Sequence, residues 1–485
     1  MFDDLRSLHS AWHGCVGLDA EALCASASSR AAPLHAPVAK RPGERAAPLR
    51  AVAPASIPRT AEIGPVEANM RRLRALVAVA QCRSVHRAAD RLHVTQSAVT
   101  RAVRALEDEL GLVLFDRSPR GMSTTACGQI LVERACRALA YLEAADLELA
   151  RENCGGGGSG GPDRSSRGLA GKVAQRHLQT VSAIADHLTE TASAQQLGIS
   201  QPAVTQGLRD LEEMVNAPLF MRTPKGMVPT RSGDIMIRCA KLALNEIAAA
   251  GDDLAAHLGQ VRGRLAVGAL PLSGTQIAPL VVSRVARSYP DLRLRVTEAP
   301  YDSLLKSLRC GDIDLIVGAL HAHPPADVAQ HRLFDDELSV VVRHGHPLAQ
   351  RGALSLDDLA GAEWVVPFRR TSSRNTVENA MLAAGLQLPD DAIEANTVVT
   401  VRGLLMESDR LSVLSRRQIY YEEREGLLTV LPIRLQGTTL PIGYLVRADA
   451  RSTMALEAVL QHLHEISPAP PRDSTASLGA ALCAA

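Results

Sequence analysis

The stretch QSAVTRAVRALEDELGLVLFDRSPRGM, residues 96–122, returns later in the chain as QPAVTQGLRDLEEMVNAPLFMRTPKGM, residues 201–227. The match extends at one constant offset, without a gap, from residues 70–135 onto residues 175–240. A shared spacing with matched apolar positions means one structural unit present twice. The period is too long for a stacked solenoid, so two copies of a small domain are expected. What that domain does is legible on its polar face.

In the first copy Val99, Val103, Leu106 and Leu110 recur at spacings of three and four, one apolar face of a helix. Thr95 stands at the N-cap position. In the second copy the apolar face is Val204, Leu208, Leu211 and Val215, and Ser200 is the cap. Pro202 falls in the first turn, where a missing N–H does no harm. The outward faces carry Gln96, Ser97, Thr100, Arg101 and Arg104, and Gln201, Pro202, Thr205, Gln206 and Arg209. Gln can read adenine, Arg guanine or phosphate, and Thr a thymine methyl. The helix N-terminus itself favours a phosphate.

Before each of these helices lie another short helix and a turn, Ala88–Leu92 then His93–Thr95, and Ser193–Leu197 then Gly198–Ser200. That is a helix-turn-helix whose second helix suits a major groove. After it, Pro119-Arg120-Gly121 and Pro224-Lys225-Gly226 turn between short extended runs, which predicts a β-wing. Arg117, Arg120, Arg222 and Lys225 would hold DNA backbone or minor groove there. Any amphipathic surface helix has a polar face, so one copy alone argues weakly. Two copies keeping the same cap, buried face, polar face and basic turn point to double-stranded DNA as the partner.

Both copies resemble the N-terminal domain of LysR-type transcriptional regulators. The first does so from Leu73–Ala80 through SAVTRAVRALEDELGLVLFDR at 97–117 to Thr125-Ala126-Cys127-Gly128. The second runs from Leu178 through PAVTQGLRDLEEMVNAPLFMR at 202–222 to Thr230-Arg231-Ser232-Gly233. The resemblance implies one winged helix-turn-helix domain, a long linker helix and an effector-binding domain. This chain departs by carrying two such units, at 70–128 and 175–233. The linker helices are expected at about 126–151 and 231–258, with Ile130, Ala135, Leu139, Leu142 and Leu147 as apolar contacts along the first. In the resembling family this helix pairs antiparallel with its counterpart in a dimer; the alternative is packing on its own domain.

Between the copies, residues 153–172 contain GGGGSGGP and read as a flexible tether spanning roughly 25 Å. Two arrangements stay open. The two linker helices of one chain could pair, so that one polypeptide presents both recognition helices to two half-sites. Otherwise an ordinary homo-oligomer, dimer or tetramer, carries all the units. Arg101 becoming Gln206 and Ser97 becoming Pro202 leave a third reading, in which one copy reads DNA and the other is an interaction module.

The chain's 485 residues accommodate three domains plus tails. Lys and Arg number 53 against 52 Asp and Glu, a net charge of +1, so the case for nucleic acid rests on local faces. Nine scattered cysteines without a CxxC pair argue against a zinc ribbon and for a reducing cytoplasm. No run of apolar residues has membrane-spanning length, so no membrane partner is expected, and the N-terminus lacks a signal-peptide pattern. Residues 1–66 are rich in Ala, Pro, Arg and Ser and read as a disordered extension, either a basic arm or a mis-assigned start ahead of Met70. Residues 467–485 read as a tail.

Residues 261–466 have βαβ punctuation: strands near 264–268, 292–296, 314–318, 338–342 and 443–446, with helices near 275–288 and 301–310. This predicts a two-lobed α/β domain, one lobe from about 261–335 and 438–466, the other from 336–437. Asp312-Ile313-Asp314-Leu315-Ile316-Val317-Gly318 resembles the LysR-type effector domain, a periplasmic-binding-protein-like fold. More weakly, the domain resembles the branch named for a galactose-binding-protein regulator, which would imply a sugar or sugar-acid effector. Ligands of open α/β lobes sit at strand C-termini and helix N-termini. That places Ser273, Gly274, Thr275 and Gly318 in one lobe and Arg370, Thr371, Ser372 and Thr400 in the other. Exposed N–H groups, hydroxyls and Arg together suit an anionic small molecule; the alternative is ordinary capped helices with solvated Arg.

Enzyme readings are weak. Gly157-Gly158-Ser159-Gly160-Gly161 satisfies GxSxG, but it lies in the tether with no strand before it. His321, His323, His344 and His346 form HxH pairs in loop-like text without matching carboxylates. No P-loop and no HExxH occur. No catalytic residue, metal or cofactor is expected. The expected function is an effector-modulated transcription regulator, with a cytoplasmic solute-binding protein as the alternative of another class.

Overall fold

The computed structural model describes residues 69–119, 121–154, 168–369 and 371–466. The expected N-terminal extension and C-terminal tail, the core of the tether, Arg120 and Arg370 lie outside the described residues.

The first copy folds as α1 (Met70–Cys82), α2 (Val85–Leu92), α3 (Gln96–Leu110) and a hairpin of β1 (Phe115–Ser118) and β2 (Gly121–Thr124). It runs into α4 (Ala126–Cys154). A short α5 (Leu169–Lys172) precedes the second copy. That copy comprises α6 (Gln175–His187), α7 (Glu190–Leu197), α8 (Gln201–Val215) and the hairpin β3 (Phe220–Thr223) and β4 (Gly226–Pro229), and it leads into α9 (Arg231–His257).

The apolar stripes read from the sequence are the buried ones, Val99, Val103, Leu106 and Leu110 in α3 and Val204, Leu208, Leu211 and Val215 in α8. Thr95 Oγ1 accepts the Ala98 N–H at 3.3 Å and starts α3. Ser200 occupies the cap of α8 without a side-chain cap bond. Each linker helix is capped by a threonine, the Gly128 and Gly233 N–H groups donating at 3.0 Å to Thr125 Oγ1 and Thr230 Oγ1. Both glycines are required by crowding. A Cβ on either would stand 2.0 Å from the carbonyl oxygen of Leu114 or Leu219.

α4 and α9 lie side by side and antiparallel. Arg134 Nε donates to Asp253 Oδ2 and its Nη1 to Glu246 Oε2, both at 2.8 Å; Arg238 meets Glu148 at 2.5 Å and Arg231 meets Glu152 at 3.0 Å. Both copies and both linker helices share one continuous apolar core that includes Leu131, Ala138 and Leu142 of α4 and Met236, Ala243 and Leu254 of α9. The linker helices therefore pair within the chain. Two expectations are corrected. Leu147 is 39% exposed, because Ala145 and Leu149 take the inward positions. The tether is shorter than 153–172: Asn153 and Cys154 close α4, and Leu169 and Ala170 of α5 are buried in the shared core.

The C-terminal half opens with β5 (Gly263–Ala269), α10 (Pro271–Gly274), α11 (Ile277–Ser288), β6 (Leu292–Glu298), α12 (Tyr301–Cys310), β7 (Leu315–Ala319) and β8 (Val328–Arg343). It continues with β9 (Trp364–Val366), α13 (Ser372–Ala383), β10 (Ile393–Glu394), α14 (Val398–Met406), β11 (Leu411–Ser415) and α15 (Tyr420–Arg424). β12 (Leu428–Val430), β13 (Thr439–Arg447) and α16 (Met454–Ile466) complete it. The strand order is β10-β9-β11-β8-β13-β7-β5-β6, with β12 paired to β8. Residues alternate between cores: Leu315 and Val317 face one and Ile316 another, and Val340 and Val342 one and Val341 another. The long β8 pairs with β13 over Val328–Glu337, then with β11 and β12 over Leu338–Arg343, so one strand serves both lobes. Among the described residues no helix is long and apolar enough to cross a membrane.

Candidate functional site

Two surfaces follow from this fold: the outward faces of α3 and α8 with their wings, and a cleft between the lobes. On the first copy Gln96, Ser97, Arg101, Arg104 and Arg117 are exposed. Thr100 is half-buried, its hydroxyl donating to the Gln96 carbonyl at 3.0 Å. Arg101, Arg104 and Arg117 make no ion pair or hydrogen bond with any described residue.

The second copy brings the equivalent residues together differently. Gln201, Pro202, Gln206, Arg209, Arg222 and Lys225 are exposed and Thr205 is half-buried. Glu190, the first residue of α7, lies among them and is 7% exposed. Its Oε2 accepts Thr205 Oγ1 at 2.7 Å and Gln201 Nε2 at 3.0 Å, and its Oε1 accepts Arg222 Nη2 at 2.6 Å. Gln206 Nε2 donates to Asp210 at 2.7 Å. The sequence reading missed Glu190. Aligning the copies at their constant offset exposes it, since Val85 stands at that position in the first.

The cleft holds about 970 Å³. Of the residues proposed for the effector, Gly274, Thr275 and Thr371 line it. Ser273 does not: it is fully buried, its hydroxyl bonded to the Leu270 and Val317 carbonyls at 2.9 and 2.5 Å. Gly318 also lies behind the wall, where a Cβ would come 2.5 Å from Leu270 Cβ. Thr400 is exposed and touches the cleft only through Thr397, hydroxyl to hydroxyl at 2.8 Å. Ser372 begins α13 beside the cleft-lining Thr371 and Ser373. Thr371 is itself engaged, accepting the Arg374 N–H at 3.2 Å and donating to the Phe368 carbonyl at 2.8 Å.

The polar lining also includes Arg369, in the loop expected to meet a ligand, and Glu298, Tyr301, Asp302, His321, Arg402 and Glu422, which the sequence did not assign to the site. Tyr301 and His321 stack with ring centroids 3.5 Å apart. Burial pushes the Tyr301 hydroxyl pKa up, with Asp302 adding to it, and pulls the His321 pKa down. Glu422 Oε1 takes Arg402 Nη1 at 2.9 Å, while its buried Oε2 and the buried Tyr301 hydroxyl have no partner among the described residues. Each of those two groups is an unmet polar valence in the wall.

The C-terminal half and the helix pair are joined by charged contacts. Lys241 on α9 donates to Asp186 of α6 at 2.5 Å and to Asp312, which follows α12, at 2.9 Å. Burial alone would lower the Lys241 pKa, but these two carboxylates raise it. Arg137 and Tyr141 of α4 both reach Asp449, which follows β13.

Residues 70–129 and 175–234 each match the family described as bacterial regulatory helix-turn-helix protein, lysR family. Residues 258–467 match the LysR substrate binding domain. The HTH-type transcriptional regulator GalR of Pseudomonas putida is 35% identical over 404 residues, 82% of this chain and 97% of its own length. PcaQ of Agrobacterium fabrum is 29% identical over 61% of this chain and 95% of its own. The second copy and everything after it make up about three-fifths of the chain, so the GalR alignment reaches into both copies. Among solved structures, a full-length OxyR variant of Pseudomonas aeruginosa is similar with a TM-score of 0.49 at 21% identity, over 60% of this chain and 94% of that one.

Proposed function

The chain belongs to the LysR-type family of transcriptional regulators, and we propose that it binds promoter DNA as a single polypeptide carrying a complete pair of reading heads. The observation that carries this is the antiparallel pairing of α4 with α9 inside one chain, over one shared core. A paired scaffold is what sets two recognition helices at a fixed spacing for two half-sites. The two acids that pair with Arg134 come from the same polypeptide, so no second copy is needed to neutralise it.

The cleft is the effector site in this reading. Glu422 Oε2 wants a donor and Tyr301 Oη can donate, and Arg369, whose Nε meets Glu394 at 3.4 Å, stands nearby as a largely exposed cation. That combination favours a small hydroxylated acid, a sugar acid being one such class, over a simple inorganic anion. Effector binding would shift α12 and β13 against α9 and α4 through Lys241–Asp312 and Tyr141–Asp449, coupling cleft to DNA face.

The test is native mass spectrometry of the protein on a duplex from its own upstream region, read beside a hydroxyl-radical footprint. One chain per protected palindrome is expected. Two chains per palindrome, each leaving one unit unprotected, would refute the single-chain arrangement.

A further inference from the structure

We propose that Glu190 occupies the second copy's DNA-reading face from within, so that the two copies are unequal readers and the first supplies most of the phosphate contacts. The inference rests on the DNA-binding function proposed above. Glu190 is nine-tenths buried and collects three donors at once, Thr205, Gln201 and Arg222. Two come from the recognition helix and one from the wing, the two elements that would close on DNA. A carboxylate there supplies what a phosphate would supply, a compact anion with several acceptor oxygens.

The first copy is the internal control. At the constant offset Gln96, Thr100 and Arg117 correspond to Gln201, Thr205 and Arg222, but Val85 replaces Glu190 and offers no acceptor. Thr100 bonds only its own helix backbone, and Arg117 stays unpaired among the described residues. Further charge differences run the same way. Arg87, Arg91 and Arg101 of the first copy become Ala192, Gln196 and Gln206 in the second. For the second copy to grip a phosphate, Arg222 must share its guanidinium with Glu190, which already neutralises it, or leave a buried carboxylate without its cation. The first copy bears no such cost.

The experiment uses the full-length protein and sonicated duplex DNA, with fluorescence anisotropy across a salt series. Glu190→Val installs the first copy's residue, and Glu190→Gln keeps the shape while removing the charge. Both are expected to tighten binding about tenfold, the worth of one charge-assisted hydrogen bond. The slope of log K against log salt should steepen by about 0.9, one further phosphate contact. In the unaltered protein Arg117→Ala should weaken binding about tenfold and Arg222→Ala less than twofold; with Glu190→Val present, Arg222→Ala should reverse the gain. Equal losses from Arg117→Ala and Arg222→Ala in the unaltered protein would overturn the proposal. So would Glu190→Val and Glu190→Gln both leaving affinity and slope unchanged. Absence of salt-sensitive binding in every form would instead sink the DNA-reading function itself.

Discussion

Replacing Arg134 with Met should loosen the joint between the two linker helices, and the structure sets the size of the effect. Arg134 is 2% exposed and holds Glu246 and Asp253 of the facing helix at 2.8 Å each. Burial alone would lower its pKa, yet those two carboxylates raise it above its ordinary value. Removing one partner from a buried ion cluster costs about 3–5 kcal/mol, because the partners keep their desolvation without their cation. Glu246 retains Arg137 at 2.8 Å, so the loss should fall at the lower end, about 3 kcal/mol. Urea unfolding followed by far-UV ellipticity reads this directly. With a slope of about 3 kcal/mol per molar, the midpoint should drop by roughly 1 M. Trp364, fully buried in the C-terminal half, reports that half separately by its fluorescence once the chain's other tryptophan is removed by Trp12→Phe, and should move less. Combining Arg134→Met with Asp253→Asn should recover most of the stability, since Glu246 keeps Arg137 and no acid is then left unpaired. A midpoint unchanged by Arg134→Met, or a double variant weaker than the single one, would refute the reasoning.

Three other outcomes follow from single side chains. Gly128→Ala should destabilise the first copy by about 3 kcal/mol, as its Cβ would meet the Leu114 carbonyl oxygen at 2.0 Å; thermal melts of the variant and of Gly233→Ala, which faces the same clash at Leu219, should agree. Asp252 has its carboxyl lifted to about 6, by burial first and by neighbouring Asp253 second. The folded state thus binds this proton more tightly than the unfolded chain, and the stability it contributes at low pH is lost as pH rises through about 6. Asp252→Asn should therefore stabilise the protein by about 2 kcal/mol near pH 8, with the gain shrinking as pH falls toward 4; a gain that grows on acidification contradicts this. Glu422→Gln should lower affinity for a hydroxylated acid effector about tenfold in isothermal titration while leaving effector-free DNA binding unchanged, and equal affinity would remove Glu422 from the site.

How much of this could be read beforehand differs from part to part. The reading helices were legible because an amphipathic helix carries its own periodicity, and Val99 to Leu110 and Val204 to Val215 are buried as their spacing requires. The effector strands were legible by their apolar runs, yet Ser273 was placed in the cleft when its hydroxyl turns inward. A loop after a strand fixes the neighbourhood of a residue and leaves its rotamer to the packing. Glu298, Tyr301 and Asp302 sit together at the end of β6 and start of α12, far along the chain from Arg402 and Glu422, and no local pattern links the two groups.

The order of residues alone settled that one small domain occurs twice, which faces of its helices are apolar, and that a two-lobed α/β body follows. Those features depend on spacings of a few residues, which a chain displays along its length. Tertiary structure alone decided that α4 pairs with α9 of the same chain and that Glu190 sits between Thr205 and Arg222. These rest on contacts between separate elements, where burial and charge pairing are set by how whole elements close on one another.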